Sequence, residues 1–172
     1  MKKALFFSLF LLMLLAGQAG AQTGLSAGVG YGSSGSIAYY LTLKQAFEPL
    51  NSSGSGALTP TLELSGHLWT HSDERVYGLT LAPGLRYDFL TDSYLRPYIG
   101  YALGGTLISQ DTLNGRDFGG HVLVLNRGTL GVGFGETLRQ RLELNYSYYS
   151  NFGLSSPNDG YSVLGLGYGL DF

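Results

Sequence analysis

Over much of this chain a large apolar residue falls on every second position. The carboxyl terminus is the clearest case: Leu164, Leu166, Tyr168, Leu170 and Phe172 alternate with Gly165, Gly167, Gly169 and Asp171. A two-residue period puts the bulky groups on one face of a strand and the small or polar groups on the other. The same alternation recurs through Leu25–Tyr31, Ile37–Leu43, Leu58–Leu68, Tyr77–Phe89, Pro97–Leu107 and Leu142–Tyr148, with a less regular segment from His121 to Phe134. About eight segments result, each near the length a tilted membrane-crossing strand needs. The pattern predicts an all-β fold: a closed antiparallel transmembrane β-barrel of about eight strands, which is a common small even number for such barrels.

The opposite faces carry Ser26, Gly28, Ala38, Thr42, Lys44, Glu63, Ser65, His67, Thr80, Arg86, Asp88, Arg96, Glu143, Asn145 and Ser147. These are expected to point inward, with Glu63, Arg86, Arg96 and Glu143 forming an internal ion-pair network. A barrel this narrow is filled by its own side chains, so no channel is expected. Trp69 has inward parity near a rim and reads as packing. With both termini at the periplasmic end, segments 32–36, 70–74, 108–118 and 151–160 face outward from the cell. Segments 46–57, 90–93 and 135–140 face the periplasm, the first of them longer than usual.

Composition sharpens this picture. Charged residues make up only 13% of the chain, while glycine (27) and tyrosine (13) are abundant. Glycine suits a crowded interior and tyrosine a membrane interface, where Tyr31, Tyr39, Tyr101, Tyr146 and Tyr148 are expected as a girdle. Residues 1–21 read as a signal peptide: Lys2 and Lys3, an apolar run from Ala4 to Leu15, then Ala19-Gly20-Ala21. Residues 22–172 would then be the barrel. Cysteine is absent, so disulfides play no part. The net charge of −2, more negative still without the signal lysines, argues against nucleic acid as a partner. The closing segment resembles the last strand of bacterial outer-membrane barrels. That likeness implies an outer-membrane location and recognition of Phe172 by the barrel assembly machinery.

One block stands apart. It runs Tyr146-Ser147-Tyr148-Tyr149-Ser150-Asn151-Phe152-Gly153, then Pro157-Asn158-Asp159-Gly160. This block resembles the signature of the lipid A 3-O-deacylase family, outer-membrane barrels that remove an ester-linked acyl chain from lipopolysaccharide. Arg96-Pro97-Tyr98 and the glycine run Gly131, Gly133, Gly135 are weaker matches. The resemblance implies that Ser150 is the nucleophile position and that Asn151 is a possible oxyanion donor. It places the family's catalytic His on Tyr148 and its catalytic Glu on Ser162. Parity puts Tyr148, Ser150 and Ser162 together on the lipid face near the external rim.

The chemistry at these positions has changed. A serine hydroxyl needs a neighbouring base to become a nucleophile. Neutral imidazole serves near pH 7, whereas a phenol with a pKa of about 10 stays protonated and offers a donor. Ser162 cannot stabilise an imidazolium as a carboxylate does. Loss of triad members in a serine hydrolase lowers turnover by roughly 10⁴ to 10⁶. Of the histidines, His67 has inward parity, His71 lies in an external loop, and His121 could reach Ser150 only through a bulge. Asn151 at a strand end also suits turn stabilisation, and Asn158-Asp159-Gly160 is first a turn sequence. No metal-ligand spacing or phosphate loop is present, so no cofactor is expected. The expected partner is outer-membrane lipid, including lipid A acyl chains. Two readings follow: a deacylase-like barrel with impaired or lost catalysis, or a non-enzymatic structural or adhesive barrel.

Overall fold

The computed structural model describes residues 22–172; the expected signal peptide, 1–21, lies outside them. Eight long strands form: β1 Gln22–Gly32, β2 Ile37–Ala46, β3 Gly56–His71, β4 Glu74–Phe89, β5 Leu95–Ile108, β6 Val122–Phe134, β7 Gln140–Ser150 and β8 Tyr161–Asp171. Each pairs antiparallel with the next, and β1 pairs with β8. That last pairing closes the sheet, so no main strand is left as an unpaired edge. The apolar parity faces outward as expected: Leu25, Val29, Leu41, Leu85, Leu130, Leu144 and Leu166 are all exposed. In a bilayer this wall meets lipid. Tyr31, Tyr39, Tyr101, Tyr146 and Tyr148 share the same outer surface.

The long periplasmic turn is a hairpin extension. Asn51–Ser53 folds back onto the start of β3, with Asn51 opposite Leu58 and Ser53 opposite Gly56. The third external loop holds a second small hairpin, Thr112–Leu113 against Arg116–Asp117. Its turn is Asn114-Gly115, both at positive φ (48° and 74°), as a two-residue hairpin turn requires. The sequence reading placed this loop outward without assigning it structure; the Asn-Gly pair was the overlooked signal.

The interior has two layers. Towards the external end it is apolar and aromatic. Trp69, only 1% exposed, lies with its ring centroid 4.5 Å from that of Tyr161 and 4.9 Å from that of Tyr149. Phe118 and Leu113 enter this cluster from the third external loop. Below it the interior is ionic. Glu63 joins Lys44 (3.0 Å) and Arg127 (2.9 Å), and Glu143 joins Lys44 (3.2 Å) and accepts from the Tyr98 hydroxyl (2.6 Å).

Two expected members of this network are placed elsewhere. Arg86 pairs with Asp88 at 2.9 Å, and Arg96 has no ion-pair partner among the described residues. The register explains both. Glu63 lies opposite Ala82, four residues along β4 from Arg86, and Glu143 lies level with Tyr98, two residues along β5 from Arg96. Both arginines therefore sit nearer the periplasmic mouth than the carboxylates they were expected to meet. Lys44, Arg127 and Arg141 hold those carboxylates instead.

The seam between β1 and β8 is lined on its inner face by glycine: Gly28 lies opposite Gly167 and Gly30 opposite Gly165. The Tyr40 ring fills the space they leave. A Cβ at Gly167 would fall 2.8 Å from the Tyr40 hydroxyl, and one at Gly165 would fall 3.0 Å from the ring. These close approaches are what require glycine here.

Candidate lipid-facing site

Strand β7 carries two of the four positions singled out by the sequence, Tyr148 and Ser150; Asn151 follows its last residue, and β8 carries Ser162. From Gln140 to Tyr149 the exposure of β7 alternates strictly, and Tyr148 stands on the outer face. Its cross-strand partners are Ser162 on β8 and Asn126 on β6. Tyr148 and Ser162 are thus brought together on the membrane face, as the sequence predicts.

Their side chains do not bond to each other. Tyr148 leans towards Gly160, where an added Cβ would fall 2.5 Å from its hydroxyl. The Ser162 hydroxyl instead accepts from Tyr146 at 3.0 Å. Both rings slant one pair towards the external rim, so the aromatic at 146, not 148, reaches position 162.

Ser150 departs from expectation. It keeps the outward register, opposite Val124 and two residues beyond Tyr148, but it is only 7% exposed. It was expected to lie open on the lipid surface. Tyr149 and Ser150 are consecutive buried residues, where the barrel wall gives way to the folded external loops.

Asn151 organises those loops. Its side-chain NH₂ faces Phe118 O (3.0 Å), Ser155 O (3.0 Å), Ser155 Oγ (2.8 Å) and Pro157 O (3.1 Å). Its side-chain oxygen accepts from Gly153 N at 2.9 Å. An amide has two hydrogens, so both are committed within the loops, and this geometry favours the turn-stabilising reading over oxyanion donation. The Pro-Asn-Asp-Gly block works alongside it. Asn158 accepts from Asn151 N, Asp159 exchanges bonds with Asp117, and Arg116 donates to Asp159 O and Gly160 O. The third and fourth external loops are locked together by these contacts. Replacing Asn151 by Ala is expected to loosen residues 151–160 by about 1–3 kcal/mol, the cost of orphaning buried polar groups. Hydrogen exchange should show faster exchange confined to that loop and its neighbour, with the strands unchanged.

None of the three histidines reaches Ser150. His67 is inside the barrel with Nε2 2.8 Å from Thr80 Oγ1. His71 bonds to Gly35 O at 3.1 Å. His121 precedes β6 and places Nδ1 3.2 Å from Ile108 O, on the β5 side and away from β7. No bulge turns it towards the serine.

One polar residue of the outer face escaped the sequence reading. Asn126 lies beside Tyr148, and its side-chain oxygen accepts from the Tyr101 hydroxyl at 2.8 Å. Its parity with Val122, Val124 and Leu130 would have revealed it in the irregular sixth segment.

A closed antiparallel cylinder with an apolar outer wall, the start of β1 and the end of β8 at one mouth and its polar groups inside, defines a small outer-membrane barrel. Comparison with known proteins gives the particular kind. The family model for lipid A 3-O-deacylase (PagL) matches residues 33–171. The crystal structure of the outer membrane enzyme PagL has a TM-score of 0.78 at 26% identity, covering 86% of this chain and 98% of that one. Neisserial surface protein A has a TM-score of 0.58 at 18% identity, covering 88% and 96%. The N-terminal barrel domain of Pseudomonas aeruginosa OprF has a TM-score of 0.53 at 17% identity, covering 88% and 97%. These last two show the fold alone. A search of curated proteins finds no match. The chain belongs to the lipid A 3-O-deacylase family and is a barrel of the Gram-negative outer membrane.

Proposed function

We propose that this barrel retains the lipid-facing site of its family, in contact with outer-leaflet acyl chains, but no longer hydrolyses their esters. The supporting observation is the surroundings of Ser150. The phenol of Tyr148, at the position that the resemblance assigns to the family's histidine, leans on Gly160, and all three histidines bond elsewhere. General-base catalysis needs an acceptor within about 3 Å of the proton it removes, directly or through one water. The hydroxyl at position 162 is already engaged by Tyr146 and carries no charge to offer. Asp171, before the exposed terminal Phe172, closes the β8 ladder against β1, and we assign that last strand to recognition by the barrel assembly machinery.

Purified folded protein incubated with lipopolysaccharide should release no 3-O-linked fatty acid by mass spectrometry, and Ser150→Ala should behave identically. Release by the parent chain that disappears in Ser150→Ala would overturn the proposal.

A further inference from the structure

The periplasmic mouth of the barrel contains a cavity of about 310 Å³, at the opposite end from the lipid-facing site. It is lined by Arg86, Arg96 and Arg141, with Tyr98, Asp88 and Asp171 among their neighbours. We infer that this cavity binds a small oxyanion from the periplasm, either inorganic phosphate or a phosphomonoester group.

The charges are the first argument. Asp88 answers Arg86 at 2.9 Å, and Asp171 answers Arg141 at 2.8 Å. Glu143 lies 3.8 Å from Arg141 but is shared with Lys44. Arg96 has no carboxylate among the described residues, so the excess positive charge of the interior falls at this mouth. The second argument is unmet hydrogen bonding. Arg141 is 2% exposed, yet its Nε has no partner, and the buried Nε of Arg96 has none either. Two guanidinium donors lining one cavity leave buried N–H groups for which a ligand would supply acceptors. Planar guanidinium forks match tetrahedral oxyanions through paired, charge-assisted bonds. The third argument is space. The cavity is several times the roughly 30 Å³ that one water occupies in the liquid, enough for an oxyanion and its remaining water.

The position selects the source. The cavity lies within the barrel wall and opens beside Gln22 and Asp171, so membrane headgroups, which meet the outer wall, do not face it. It also gives Arg96-Pro97-Tyr98 a role. The strand brings Arg96 to the mouth, and the Tyr98 hydroxyl, donating 2.6 Å to Glu143, closes the floor.

The test is calorimetric titration of the full barrel with sodium phosphate at fixed ionic strength, in a phosphate-free maltoside detergent. Saturable one-to-one binding is expected. Arg96→Gln should weaken it about tenfold or more, the usual scale for losing hydrogen bonds to a charged group. Since Arg96 holds no carboxylate, this variant should fold, which heat-modifiable migration on gels would verify. Arg75→Gln makes the same charge change at the exposed external end and should leave binding unchanged. Absence of saturable binding in the parent, equal loss in both variants, or undiminished binding in Arg96→Gln would overturn the proposal.

Discussion

Installing Tyr148→His together with Ser162→Glu is expected to raise fatty-acid release from lipopolysaccharide by at least about 10³-fold, a fraction of what intact triads contribute. Positions 148 and 162 are direct cross-strand partners on the outer face. Side chains so placed have Cβ atoms about 4.5–5.5 Å apart, within reach for a carboxylate to orient an imidazole. The new imidazole would stand two residues from Ser150 on the same parity. Tyr148→His alone should recover part of the effect and Ser162→Glu alone none, because a carboxylate acts through the base it orients. Adding Ser150→Ala to the pair should return release to baseline by mass spectrometry. The restored rate should stay below that of an intact family enzyme, since Ser150 is nearly covered and the Asn151 amide is held by loop carbonyls. A folded double variant with no release would show that covering of the serine is itself sufficient to stop catalysis.

The largest effect on stability is expected at Glu63. Its two oxygens hold Lys44 at 3.0 Å and Arg127 at 2.9 Å, and all three side chains are buried. Glu63→Ala removes the carboxylate and leaves Arg127 without one inside the barrel, while Lys44 keeps Glu143 at 3.2 Å. Breaking a buried pair from one side costs about 3–5 kcal/mol, most of it the penalty of an uncompensated charge. Urea unfolding in detergent micelles should show that loss as a lower midpoint. Glu48 is exposed in the periplasmic turn, and Glu48→Ala should stay within about 0.5 kcal/mol of the parent. Equal midpoints for the two variants would show that the internal network contributes nothing to stability.

The barrel was legible because its parity is strict. Each alternating segment became a strand, and the four external connections fell where the turn residues put them. The cross-strand pairing of Tyr148 with Ser162 was likewise readable from two short segments of known order. The sequence could not show the slant of side chains across the strands, which sends Tyr146 to Ser162 and Tyr148 to Gly160. Nor could it show how two loops distant along the chain fold against each other. The contacts of Asn151 and Arg116 with the opposite loop are long-range, and they determine what Asn151 does. The ion pairs failed for a related reason. Parity tells which residues point inward, but their height inside the barrel depends on stagger, and stagger decided that Arg86 and Arg96 would miss Glu63 and Glu143.

The glycine-lined joint between the first and last strands bears on how such a cylinder shuts during assembly. On the lumen side, where Gly28 and Gly30 face Gly167 and Gly165, neither strand presents bulky groups that must interdigitate with the other; Tyr161 and Val163 of β8 stand only at the external end of the joint. The two can therefore approach and exchange backbone hydrogen bonds in register without prior sorting of rotamers. The phenol of Tyr40 is carried by the neighbouring strand, so it can swing into the groove after the backbones have met. Closure of this barrel is thus sterically undemanding where the two ends of the sheet must find each other, and the bulky packing is left to walls that form locally, hairpin by hairpin.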